Sequence, residues 1–146
     1  MALDPSFAGR RLPPTEPYLV SREKIREFAE AIGADDAAYR DPAAAAKLGY
    51  PEVIAPPTFP MVMAGLASQA LYADPELGLD FSRVVHADQR FAYTRPVRAG
   101  DRLVCVCEVE TIMSRAGNEF LTTRIDMATD AGEPVVSVWS RLVVRA

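Results

Sequence analysis

Residues 53–73 read Val-Ile-Ala-Pro-Pro-Thr-Phe-Pro-Met-Val-Met-Ala-Gly-Leu-Ala-Ser-Gln-Ala-Leu-Tyr-Ala, a stretch without one charged side chain. Prolines at 56, 57 and 60 confine the continuous helix to 61–73. That is well short of the roughly 20 residues a membrane span requires. The helix is apolar all round, with small residues at Ala64, Gly65, Ala67, Ser68 and Ala70, so it reads as a buried element that others wrap closely. The rest of the chain must supply the wrapper.

Downstream, the segments 84–94, 101–113, 119–129 and 134–144 alternate their side chains between two faces, as strands do. Pro96 with Gly100, then Gly117 with Asn118, then Asp130-Ala131-Gly132 break them apart and suit short links between antiparallel neighbours. In 119–129, Phe120, Thr122, Arg124 and Asp126 oppose Leu121, Thr123, Ile125 and Met127, the pattern of a sheet wet on one face. Upstream, 15–20 offers a short first strand. Ser21 caps a helix over 22–32 in which Ile25, Phe28, Ala29 and Ile32 share a face and Gly33 ends the run. Asp41 and Pro42 open a second short helix that Gly49 stops. One strand, a buried helix and an antiparallel run make the order of an α+β hot-dog fold, an antiparallel sheet of about five strands wrapped round one long helix. With no internal repeat, 146 residues are expected to form a single such domain over 1–146.

Apolar residues at 49% and charged residues at 25% describe a globular chain, not a disordered one. A net charge of -4 with scattered basic residues argues against nucleic acid. Arg90, Arg95, Arg98 and Arg102 do fall near one another, either as a group able to meet a phosphopantetheine or nucleotide phosphate or as a solvated loop and strand end. The stretch from Met1 to Arg11 contains Asp4 and no apolar run, so it is not a secretory signal, and a cytoplasmic location is expected. Cys105 and Cys107 share one side of a strand, are too splayed to bridge, and read as free thiols of a reducing compartment.

A Gly-rich phosphate loop, a Gly-x-Ser-x-Gly elbow and metal-spaced Cys or His pairs are all lacking, so no cofactor and no metal is expected. His86 is the only imidazole available for proton transfer near neutral pH. Strict alternation puts it with Asp88 and Arg90 on one face and Gln89, Phe91 and Tyr93 on the other. It is then either a general base beside a carboxylate or a polar strand residue in an ordinary hydrogen-bonded pair. At the start of the apolar helix, Pro56, Pro57 and Pro60 have no N–H, which leaves Thr58 and Phe59 as local donors. These two either stabilise an oxygen on which charge develops or belong to a simple helix-opening sequence.

The stretch 25–42, Ile-Arg-Glu-Phe-Ala-Glu-Ala-Ile-Gly-Ala-Asp-Asp-Ala-Ala-Tyr-Arg-Asp-Pro, resembles the hydratase motif of the MaoC-like family. Ala55-Pro-Pro-Thr-Phe59, His86-Ala-Asp-Gln-Arg-Phe-Ala-Tyr93 and Arg95-Pro-Val-Arg-Ala-Gly-Asp101 extend the likeness over nearly the whole chain. It is most similar to FAS1-like and N-terminal MaoC dehydratase domains, among them accessory subunits of mycobacterial (R)-hydroxyacyl-ACP dehydratases and their actinobacterial relatives. The resemblance implies a dimeric hot-dog protein of fatty-acid metabolism. It would act as a (R)-3-hydroxyacyl thioester dehydratase or enoyl thioester hydratase on acyl-CoA or acyl-ACP, away from nucleic acid and membrane.

In active members the motif runs glycine, aspartate, any residue, asparagine, proline, an aliphatic residue, histidine. Laid on Gly33, it puts Ala34 at the catalytic aspartate, Asp36 at the asparagine, Ala37 at the proline and Tyr39 at the histidine. Both members of the Asp/His dyad are thereby replaced. Asp35, Asp36 and His86 stand as fallback candidates, while a tyrosine near its usual pKa of ~10 is poorly matched to proton transfer at neutral pH. The resemblance then implies an accessory acyl-binding half that pairs with a MaoC-like chain, or a non-catalytic acyl-CoA-binding homodimer. Thr58, Phe59, Met61, Met63, Leu66, Gln89 and Tyr93 are the candidate substrate-binding residues.

Overall fold

The computed structural model describes residues 2–146, Met1 of the lead-in lying outside them. In chain order the elements are β1 (Tyr18–Leu19), α1 (Arg22–Ala31), α2 (Pro42–Lys47), α3 (Met61–Ala73), β2 (Val84–Tyr93), β3 (Arg102–Arg115), β4 (Asn118–Thr129) and β5 (Pro134–Val144). The two short helices start where their caps direct. Ser21 Oγ accepts from the Lys24 N–H at 3.0 Å, and Asp41 Oδ1 accepts from the Ala43 N–H at 2.9 Å.

The strands form one antiparallel sheet in the order β1-β3-β4-β5-β2. Its inner face buries Leu103, Cys105, Cys107 and Val109 of β3, Leu121, Ile125 and Met127 of β4, and Val136, Val138, Leu142 and Val144 of β5. Against them lie Met63, Ala64, Ala67, Ser68 and Leu71, the two adjoining rows that make up one side of α3. This is the hot-dog arrangement expected from the sequence. Each large aliphatic side chain removed from water here contributes about 1.5–3 kcal/mol, which makes the helix-to-sheet contact the main source of stability.

The expectation of a helix enclosed on all sides needs correction. Gly65, Leu66, Gln69, Ala70 and Ala73 form an exposed strip, with Leu66 58% accessible. A five-stranded concave surface reaches one side of a helix about 10 Å across, so the opposite side is left open. Small residues therefore serve close packing only at Ala64, Ala67 and Ser68.

The lead-in closes one margin of the sheet. Leu3 and Phe7 are buried in the core, and the N–H groups of Gly9, Leu12 and Thr15 donate to the carbonyls of Val109, Cys107 and Cys105 at 2.7–2.9 Å. Gly78 holds this segment in place: a Cβ there would stand 2.8 Å from the Ala2 carbonyl oxygen. The opposite margin is β2, which pairs only with β5 and keeps its other edge free among the described residues.

Two links have distinctive chemistry. The β3–β4 hairpin turns at Ala116 and Gly117, one residue earlier than the sequence suggests, with φ of 52° and 79°. Consecutive positive φ values match the twist of the flanking strands, but they put an alanine in the left-handed region. In the β2–β3 link, Arg95 grips Asp101 through two bonds of 2.9 Å, and the Arg98 N–H donates to the same carboxylate at 2.9 Å. Asp101 is 6% exposed, so this is a nearly buried ion pair.

Three outcomes are expected. Asp101→Ala strands Arg95 and lowers stability by about 2–3 kcal/mol in urea unfolding, whereas Glu133→Ala, at the exposed end of the same arginine, costs under ~1 kcal/mol. Ala116→Gly relieves the turn and raises stability by about 0.5–1 kcal/mol. Burial pushes the Cys105 and Cys107 thiols up to about 11, so neither reacts with a thiol reagent at pH 7.5 until denaturant is added.

Candidate functional site

The loop between α1 and α2 is built around its own acids and cations. Asp36 Oδ1 accepts from the Ala38 N–H at 2.9 Å and so caps the short 3-10 turn Ala37–Tyr39. The Arg40 guanidinium reaches back to the Ala34 carbonyl at 3.1 Å. Ala38 is buried, and its carbonyl accepts from Ile54 N–H at 3.1 Å. On the other side, Ala55 N–H donates to the Val97 carbonyl and Ala99 N–H to the Val53 carbonyl. Residues 53–55 are thus held between the 3-10 turn and the 97–99 stretch, which brings Tyr39 toward the end of β2.

There a cavity of about 390 Å³ opens, lined by Tyr39, Tyr50, Ile54, Ala55, Pro57, Tyr93, Thr94, Arg95 and Pro96. Its volume lies within the range of small-molecule sites. The Tyr93 hydroxyl donates to the Pro57 carbonyl at 2.6 Å. Burial, with Tyr39 second, pushes the Tyr93 hydroxyl well above its ordinary value. Burial, with the charge of Asp36 second, raises Tyr39 in the same direction. Both phenols therefore stay protonated at neutral pH, and the charge of Arg95 is met by Asp101 and Glu133. The cavity is neutral, apolar on most sides and supplied with hydroxyls, which suits a carbonyl or amide better than an ion.

Of the sequence candidates, Tyr39 and Tyr93 meet in this cavity. Ala34 stands in the same loop, half-buried, while Asp35 and Asp36 face solvent and the Asp36 carboxylate is engaged as a cap. The others lie elsewhere. Phe59 is fully buried and meets Phe28 edge-on at a ring separation of 5.4 Å, and Met63 is 1% exposed in the core. Met61 is half-buried at the first turn of α3, and Leu66 projects from the exposed strip. Thr58 is exposed, and the Phe59 N–H already donates to Pro56, so the helix opening does not offer two free donors. Pro57 and Pro96 fall within the family-like stretches 55–59 and 95–101, whereas Tyr50, Ile54 and Thr94 lie in none. Only the juxtaposition of three separate loops assembles them.

His86 requires a second correction. β2 pairs His86 with Leu142 but Asp88 with Arg141, so Ala87 is the extra residue of a bulge. The bulge reverses the alternation: His86 joins Gln89, Phe91 and Tyr93 on the inner face, and Asp88 and Arg90 turn outward. Asp88 forms an ion pair with Arg141, and Arg90 lies over the Trp139 ring at 4.0 Å. His86 Nε2 instead meets Gln89 Oε1 at 3.0 Å. Gln89 Nε2 donates to the Trp139 carbonyl at 2.7 Å and its Oε1 also accepts from Ser140 Oγ at 2.8 Å, so the histidine must carry its proton on Nε2. No carboxylate orients it, and about 20 Å of strand separates it from Tyr93. The described residues contain no group of three His, Cys, Asp or Glu that could hold a metal ion. Nor is any described helix long and apolar enough to cross a membrane.

Comparison with known proteins agrees with this architecture. A Streptomyces avermitilis UPF0336 protein is 57% identical over the whole chain and 97% of its own length, and a Streptomyces coelicolor relative is 56% identical over the same share. Among solved structures, the HadBC (3R-hydroxyacyl-ACP dehydratase) complex of Mycobacterium tuberculosis is similar at a TM-score of 0.85 and 31% identity, over 94% of this chain and 96% of that one. A MaoC-like dehydratase is similar at a TM-score of 0.89 and 30% identity, covering 97% of this chain but 43% of that longer one. The pattern that defines the FAS1-like, dehydratase domain region matches residues 6–138, and with this fold the chain belongs to that family.

Proposed function

We propose that this chain is the accessory, acyl-binding half of a (R)-3-hydroxyacyl thioester dehydratase, paired with a second hot-dog chain that carries an Asp/His dyad. The reading is supported by the neutral cavity at Tyr39, the residue that the motif laid on Gly33 puts at the histidine, with Ala34 at the aspartate. A thioester carbonyl and the amides of a pantetheine arm fit hydroxyl donors and apolar walls. Neither phenol takes up or releases a proton readily near neutral pH, since burial raises both. Ala34 cannot transfer a proton at all.

The pairing rests on surfaces left open in one chain. The free edge of β2 presents unpaired backbone groups and carries Val85, 44% exposed, while Phe81 just before β2 and Leu66 on the open strip of α3 are each 58% exposed. The similar Mycobacterium tuberculosis structure is a complex named as a 3R-hydroxyacyl-ACP dehydratase. A non-catalytic homodimer that holds acyl-CoA is the second reading, favoured by the same open edge, which a second copy covers equally well.

Co-expression with MaoC-like chains that keep the dyad, followed by a crotonyl-thioester hydration assay, separates the readings. The expected result is no turnover by the chain alone and hydration by a co-purified pair. Turnover by the chain alone that His86→Ala abolishes overturns the accessory role. Failure to pair with any dyad-bearing chain, together with acyl-CoA binding without turnover, assigns the homodimer instead.

A further inference from the structure

Four arginines cluster in sequence around the β2–β3 link, and three of them are occupied. Arg90 lies on Trp139, Arg95 is held by Asp101 and Glu133, and Arg102 pairs with Asp130 at 2.9 Å. Arg98 is half-buried and has no carboxylate within ion-pairing distance among the described residues. The acids nearest to it along the adjoining segments are already committed. Asp101 binds Arg95 and only the backbone N–H of Arg98, Glu133 binds Arg95 at 2.6 Å, and Glu52 binds Arg22 at 2.7 Å. Arg83 is half-buried without a carboxylate as well, but it donates to the Arg145 carbonyl, whereas the Arg98 side chain has no partner among the described residues, which favours an external anion.

Its position says which anion. Arg98 is bridged antiparallel to Ile54, and directly opposed residues of such a pair project to one face. Ile54 lines the cavity, as does Pro96 two residues before Arg98. Arg98 thus starts at the edge of the cavity, just outside the residues that line it, a half-buried cation next to a chamber that is itself neutral. A ligand that fills the chamber with uncharged groups and ends in a phosphate matches both parts.

Building on the thioester reading above, we infer that Arg98 is a phosphate-binding residue for the pantetheine arm of the acyl carrier. The phosphate is shared by CoA and by carrier-protein-linked phosphopantetheine. Its fork of N–H donors suits phosphate oxygens, and the contact strengthens as the group is withdrawn from water.

Calorimetric titration of the full chain with butyryl-phosphopantetheine and with butyryl-pantetheine, which lacks the phosphate, tests the assignment. Wild type is expected to bind the phosphorylated arm at least about tenfold more tightly, with the gap narrowing as salt rises. Arg98→Ala removes the gap without changing affinity for butyryl-pantetheine, and Arg98→Lys restores part of it. Equal affinities in wild type, or equal losses for both ligands in Arg98→Ala, overturn the role of Arg98 while leaving the thioester site standing. No binding of either ligand overturns the thioester reading and Arg98 with it. With binding established, butyryl-CoA tells the carriers apart: affinity well above that of butyryl-phosphopantetheine marks CoA, and equal affinity marks the arm alone.

Discussion

Everything in this molecule is arranged around one uncharged helix that cannot remain in water. α3 contributes two adjoining rows, Met63, Ala64, Ala67, Ser68 and Leu71, and the inner residues of β3, β4 and β5 close on them. The wrapper then dictates the rest. A sheet that must bend round a helix needs long antiparallel strands joined by tight turns, which is why the β3–β4 hairpin accepts an alanine at φ 52°. It also needs a strut where the chain passes from β2 to β3, and the Arg95–Asp101 pair supplies it.

Most of this framework was legible in the residues. The extent of α3 follows from Pro60 and the end of the apolar run, and the strand faces of β4 follow from strict alternation. What alternation cannot convey is a residue that drops out of phase. The bulge at Ala87 moved His86 from the company of Asp88 to that of Gln89 and Ser140, and nothing in the local sequence marks it. Apolar character all round α3 was equally ambiguous, because an uncharged strip looks the same whether its own chain covers it or not.

The candidate site was legible in part. Tyr39 stood out because a family motif has histidine at its place, and Tyr93 ends the family-like stretch 86–93. Tyr50, Ile54 and Thr94 were silent, since they come together only through the hydrogen bonds that stack residues 38, 54 and 98 side by side. Phe59 and Met63 show the opposite failing. Their apolar character suited a tunnel wall and a core equally, and burial below 2% places both in the core.

The bulge at Ala87 also limits what can lie alongside β2. It kinks the free margin and interrupts the even row of backbone donors and acceptors between His86 and Asp88. A straight, regular strand can follow this margin on one side of the kink only, over residues 88–93 or over 84–86. A partner that runs its full length must carry a matching irregularity of its own. Geometry at a single alanine thus filters companions before any side chain is compared.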